Sequence, residues 1–217
     1  MAVTLKKGQG VSLKKAENDL SQVTIGLGWD IAERKSGGIL GGIFGKKQPE
    51  NEEYDLDVVA FLCGANGKVN DIGTQEENRG PIGGDIIFFN SMQHPTGQVW
   101  LTGDNCSGAG EGDDEQIIAN LNSLPERYHR IVFVVQIYDG IQKHQSFGQV
   151  KNAYIRAVDA KNREMARFDL SGDASYANCR SMIFAELERE TAGWKLRAIG
   201  TPFEKDSFGY ILTQYYL

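Results

Sequence analysis

From Gly103 to Glu115 the chain reads Gly-Asp-Asn-Cys-Ser-Gly-Ala-Gly-Glu-Gly-Asp-Asp-Glu, which places five carboxylates, one amide and four glycines in thirteen residues with no cation among them. Like charges crowded on so short a segment repel one another unless something positive sits between them. The stretch from Gly80 to Glu126 holds no lysine or arginine and seven acids, so sequence neighbours do not supply that charge. A bound hard cation would, and oxygen ligands of this kind suit calcium. Asp104, Asn105, Asp113, Asp114 and Glu115 are the candidate side-chain ligands. Gly108, Gly110 and Gly112 can turn their carbonyls inward, because glycine tolerates the backbone angles that this requires. A second reading has Asp113, Asp114 and Glu115 charging the first turn of a following helix.

The segment is not an EF-hand. Counted from Asp104, the twelfth position is Glu115 as required, but the third and fifth are Cys106 and Gly108, the sixth is Ala109, and no helical pattern precedes it. Nor is it a phosphate loop, whose amides and lysine attract an anion that these carboxylates would repel. In the other glycine-rich stretch, Leu40 and Lys47 stand where a P-loop needs glycine and serine or threonine.

Asp55 and Asp57 form a second acidic pair at the head of an apolar strand, Leu56 to Leu62, and the period of two puts both on one face. Such Asp-x-Asp pairs also hold nucleotide-sugar diphosphates in metal-dependent transferases. A metal-dependent transferase or hydrolase using this pair and the acidic loop is therefore the alternative to a binding protein, although no arginine or lysine near these acids would grip a diphosphate. Asp55 and Asp57 join the loop acids as candidate metal ligands, and Asp30 is a further one. His94, His129 and His144 lack zinc-ligand spacing and read as structural or surface residues. Cys106 sits in a field that would raise its pKa and repel an oxyanion. Trp29, Trp100 and Trp194 read as core anchors.

These groups need a scaffold, and 217 residues with 41% hydrophobic content can build one. A net charge of −6 argues against binding duplex nucleic acid and for cations, basic surfaces or other proteins as partners. Three scattered cysteines without a CxxC pattern, and an N-terminus without the apolar core of a secretion signal, lead to the expectation of a reducing, cytoplasmic setting. The twin segments Val3 to Lys7 and Val11 to Lys15 around Gly8-Gln9-Gly10 predict paired strands. Further strands are predicted at 23–27, 56–63, 85–89, 99–101, 131–138, 153–158, 165–170, 182–187 and 194–199. The spacing of Ile117, Ile118, Leu121 and Leu124 predicts a helix closed by Pro125. The expected class is mainly β, a β-sandwich with one or two short helices. It would form a single domain over 1–217, with a glycine-rich insertion at about 36–53 that reads as a surface excursion.

The chain resembles the tellurite-resistance TerD family of bacterial stress-response proteins. The resemblance rests on Val11-Ser12-Leu13, Gly26-Leu27-Gly28-Trp29-Asp30, Asp55-Leu56-Asp57, the Gly103 to Glu115 loop, Gln145 to Gly148, Asn152 to Arg156, Ala166 to Leu170 and Gly193 to Ala198. It implies a β-sandwich without established enzymatic activity that binds calcium as two neighbouring ions, with ligands from the loop and nearby aspartates. It further implies a cytoplasmic protein working at the inner face of the membrane, with other TerD-like proteins or an integral membrane protein as partners. The loop departs from the commoner family pattern at Cys106, Ser107, Ala109 and Glu111, leaving one acid fewer. The excursion at 36–49 resembles the longer insertion of a TerZ-like subgroup. Its Ile39, Leu40, Ile43, Phe44, Lys46 and Lys47 suit peripheral membrane contact or a partner surface, or simply a surface loop.

Overall fold

A computed structural model describes residues 2–31, 54–103, 112–170 and 174–217. The glycine-rich insertion and Asp104 to Glu111 lie outside these residues. The strands are β1 (Val3–Leu5), β2 (Gly10–Lys14), β3 (Val23–Ile31), β4 (Leu56–Cys63), β5 (Thr74–Glu76), β6 (Gly80–Ile82), β7 (Ile86–Ile87), β8 (Val99–Leu101), β9 (Glu115–Ala119), β10 (Arg130–Ile137), β11 (Val150–Val158), β12 (Glu164–Asp169), β13 (Ser181–Glu190) and β14 (Gly193–Phe203). Helix α1 (Phe208–Ile211) follows, and wider turns continue it over Leu212–Tyr216.

One six-stranded sheet runs β1-β12-β11-β3-β9-β8 and the other β2-β14-β13-β10-β4-β7. Their inner faces share one core, which includes Ile25, Leu27, Trp29, Val58, Ala60, Leu62, Phe133, Ile155 and Trp194. This is the β-sandwich expected from the sequence. β4 is buried along its whole length, because its second face carries Val59, Phe61 and Cys63 into a smaller cluster with Ile211, Leu212 and Tyr216 of the C-terminal helical segment. A strand covered on both faces reads as an unbroken apolar run rather than an alternation.

Two expectations fail. The twin N-terminal segments do not pair with each other: β1 runs parallel to β12 in one sheet, while β2 runs antiparallel to β14 in the other. Leu5 and Leu13 thereby enter the same core from opposite sides, which a two-stranded ribbon could not achieve. The predicted helix from Ile117 is instead strand β9, paired with β3 and β8. Its adjacent β-branched isoleucines favour extended backbone; Ile117 and Ala119 face the core, and Leu121 and Leu124 reach it from the turns beyond. Asp113 to Glu115 therefore charge no helix. The helical element lies at the C-terminus, and the small β5–β6 ribbon was not foreseen.

A buried aspartate ties the turn before β3 to the turn between β11 and β12. Asp159 accepts the backbone N–H groups of Lys161 and Arg163 at 3.0 Å and the Arg163 Nε at 3.0 Å, while Ala160 N–H donates to the Asp19 carbonyl at 3.1 Å. Burial alone would raise its pKa, but Arg163 and the surrounding amides hold it down, from 3.8 to about 2. A depressed carboxyl contributes its full stabilisation above pH 3.8 and loses it as pH falls toward 2. Asp159→Asn is expected to lose about 1–3 kcal/mol of stability at neutral pH. Its melting temperature should converge with that of the parent chain across that acid window; a gap that stays constant would contradict the assignment.

Candidate metal centre

Three consecutive acids leave the acidic segment in three different directions. Asp113 turns onto the outer face of the first sheet, Asp114 bonds to the backbone of β3 at Leu27 and Trp29, and Glu115 points between the sheets. Each direction is fixed by a different partner.

Asp113 lies across β3. Its carboxylate receives Arg156 Nε at 2.7 Å and Arg156 Nη2 at 3.2 Å from β11, together with the Tyr154 hydroxyl at 3.1 Å and Gln116 Nε2 at 3.3 Å. The side chain is 1% exposed. The intervening strand admits it because residue 26 is glycine: a Cβ there would stand 2.0 Å from an Asp113 oxygen. Gly28 does the same for the Tyr154 ring, 2.5 Å from where its own Cβ would be. The Tyr154 hydroxyl also donates to the Gly112 carbonyl at 2.8 Å, and the Arg167 guanidinium lies 3.7 Å from the centre of the Tyr154 ring. Burial and then the Asp113 charge push the Tyr154 hydroxyl up to about 12. The hydrogen bond to Asp113 raises Arg156.

Asp114 donates its N–H to the Leu27 carbonyl at 2.8 Å, and one carboxylate oxygen accepts the Trp29 N–H at 2.9 Å. Burial raises its carboxyl pKa; the Trp29 amide opposes that rise, and the charges of Asp30 and Asp113 add to it. Asp30, exposed at the end of β3, accepts Asn152 Nδ2 at 2.6 Å. Glu115 is 2% exposed and accepts the buried Val58 N–H at 2.6 Å. β7 borders β4 only at Ala60 and Phe61, so Val58 lies beyond its end and a carboxylate from the opposite sheet takes its N–H.

Of the acidic pair, Asp55 stands one residue before β4 and its carbonyl accepts the Tyr138 N–H at 2.8 Å. Asp57 is 4% exposed and accepts Gln136 Nε2 at 2.9 Å; Gln136 in turn accepts the Phe208 N–H at 2.7 Å, at the start of α1. Asp57 is thus built into the seat of the C-terminal helix. Asp104, Asn105, Gly108 and Gly110 lie outside the described residues, while Gly112 is exposed with φ at +109°. Among the described residues no three His, Cys, Asp or Glu side chains are grouped to hold a metal.

The donor chemistry nonetheless suits a hard divalent cation. Asp114 is half-buried and feels the charges of Asp30 and Asp113, and a cation would offset the field that raises it. Charge counting along the sequence missed Arg156, which reaches Asp113 from 43 residues away. The one legible hint was the pair of glycines in Gly26-Leu27-Gly28, an alternation that leaves one strand face bare. Elsewhere, His94 is buried against Asp85 at 3.1 Å and Tyr128 at 3.3 Å, a structural role. Cys63 and Cys179 are buried and unbridged, and burial pushes the Cys63 thiol up to about 12. Trp29 and Trp194 are core residues, whereas Trp100 is only half-buried.

Residues 1–215 match the TerD domain family. The chain is 64% identical to the tellurium resistance protein TerX of Serratia marcescens, over 99% of this chain and 100% of that one. It is 37% identical to general stress protein 16U of Bacillus subtilis strain 168, over 94% of this chain and 92% of that one. A crystal structure of a homologue of the telluride resistance protein TerD from Streptomyces coelicolor A3(2) shares the fold. The TM-score is 0.58 at 19% identity, covering 88% of this chain and 94% of that one.

Glu115→Ala, compared with the parent chain in excess chelator, should lose about 1–3 kcal/mol because the buried Val58 N–H is left without that acceptor. Glu115→Gln keeps an acceptor oxygen and should lose less. Equal melting temperatures for all three proteins would show that the contact between the sheets carries no weight.

Proposed function

The chain belongs to the TerD domain family of tellurium-resistance and stress-response proteins, and from that membership we propose that it is a non-catalytic calcium-binding protein that acts by assembly. The observation that carries the reading is Asp114: a half-buried carboxyl fixed on the Trp29 N–H, at the end of a thirteen-residue segment with five acids and no lysine or arginine. In this reading Asp114, with Asp104 and Asn105, supplies hard side-chain oxygens, and carbonyls of Gly108 and Gly110 complete the shell, while Glu115 stays on the Val58 N–H between the sheets. Asp30 and Asp55 flank it. Two neighbouring ions would share this set. Bound calcium supplies charge neutralisation and a fixed loop shape; binding and orienting are the work of the chain itself.

The transferase alternative is less well supported. It needs Asp57 turned toward a nucleotide, whereas Asp57 is bonded to Gln136 beneath the C-terminal helix.

Among the described residues no helix is long and apolar enough to cross a membrane. In this reading the protein is cytoplasmic and meets the inner face of the membrane peripherally, through residues 36–49 or through an integral membrane partner, alongside other TerD-like proteins. Calcium at a hundredfold excess over its dissociation constant should add about 2.7 kcal/mol of apparent stability. Replacing Asp104 and Asp114 together by alanine should abolish that shift. An unchanged melting curve in calcium and in chelator would reject the proposal, and manganese preference with nucleotide binding by calorimetry would favour the enzyme instead.

A further inference from the structure

Asp113 belongs by sequence to the presumed ligands, but its surroundings are those of a fastening. Its carboxylate is met side-on by Arg156 through two nitrogens, at 2.7 and 3.2 Å, and by the Tyr154 hydroxyl at 3.1 Å, with only 1% of the side chain exposed. Two parallel N–H bonds from a guanidinium to a carboxylate fix geometry as well as energy. The same tyrosine hydroxyl holds the Gly112 carbonyl at 2.8 Å, so side chain and backbone of the segment's end are gripped together. Arg156 is braced by Glu164 at 3.4 Å, and Tyr154 is covered by the Arg167 guanidinium. The whole arrangement requires bare glycine at 26 and 28.

Building on the calcium reading, we propose that Asp113 is a positioning residue that straps the C-terminal end of the acidic segment to the sheet through Arg156 and Tyr154. Asp114 is thereby presented to the ion from a fixed backbone. The next two residues show the consequence. Asp114 is locked to Leu27 and Trp29, and Glu115 is committed to the far sheet.

Simple electrostatics and the strap predict opposite signs for one substitution. Removing a cation beside an acidic segment should tighten divalent binding if charge alone matters. Removing the strap should weaken it, because the ligands then lose their preorganisation. Calcium titration by calorimetry and terbium titration are the readouts for Arg156→Gln, Arg156→Lys, Gly26→Ala, Asp113→Asn and Tyr154→Phe. The strap predicts at least a tenfold loss of affinity in Arg156→Gln and in Gly26→Ala, which leaves every charge in place. It predicts a smaller loss in Arg156→Lys and Tyr154→Phe, and an unchanged number of ions bound in Asp113→Asn. Should Gly26→Ala not fold, Tyr154→Phe serves in its place. Equal or tighter binding by Arg156→Gln, or one ion fewer in Asp113→Asn, overturns the inference and returns Asp113 to the ligands.

Failure of the calcium reading itself is separable. If the parent chain binds neither calcium nor terbium, hydrogen exchange of the Asp114 amide in chelator decides: faster exchange in Arg156→Gln sustains the strap, and unchanged exchange overturns it.

Discussion

Arg156 reaches across β3 to a carboxylate on the far side of it, and the local architecture follows from making that reach possible. Neighbouring strands stand about 4.8 Å apart, so a pair spanning from β11 to the start of β9 must pass over the middle strand at close range. Only a residue without a Cβ leaves the space, and β3 has glycine there and again two positions along, under Tyr154. These glycines weaken the strand locally, since they lose the most backbone freedom on folding and offer no side chain to pack. The bonds made above them, and the flanking Ile25, Leu27 and Trp29 on the core face, offset that weakness.

Glu115 makes the complementary connection through the interior. A carboxylate pointing between two hydrophobic sheets is costly unless its oxygens are bonded. Here it accepts an N–H that β4 exposes beyond the end of β7. One strand start thus bonds outward to β11 and inward to β4, and the acidic segment enters the sandwich from a point fixed on both faces. Asp57 plays a related part on the opposite surface of β4, where Gln136 relays it to the backbone of the C-terminal helix. Acids that stand close in sequence to the presumed metal site therefore divide among tasks, and several of them hold elements together.

Most strands of the sandwich were legible in the sequence, because they are apolar or cleanly alternating and turn residues bound them; β9 and the short β5–β6 ribbon were not. Topology was not. The twin N-terminal segments look like a ribbon locally, and only the shared core, filled by Leu5 and Leu13 from opposite sheets, explains why they part. The run from Ile117 to Leu124 fits a helical spacing at four positions, but so short a run also fits a strand followed by buried turns, and pairing on both sides settles it. The acidic segment was visible as a concentration of charge, yet its compensation was hidden: Arg156 lies 43 residues away from Asp113, and a strip of sequence has no means of showing which distant strand is two places over in a sheet.

The value of the Asp113–Arg156 pair is best placed in geometry rather than in stability. Desolvating a carboxylate and part of a guanidinium offsets most of what their attraction returns, so such pairs contribute little net against a well-packed apolar alternative. Breaking one is another matter, because Asp113, 1% exposed, would keep its charge without its counterion. An interaction that adds little when made and costs much when broken selects one arrangement of the chain over its neighbours. At the end of a glycine-rich, mutually repelling segment, that selection is what a fixed set of oxygens requires: one acid is held by the protein's own arginine so that the next keeps a fixed place on β3.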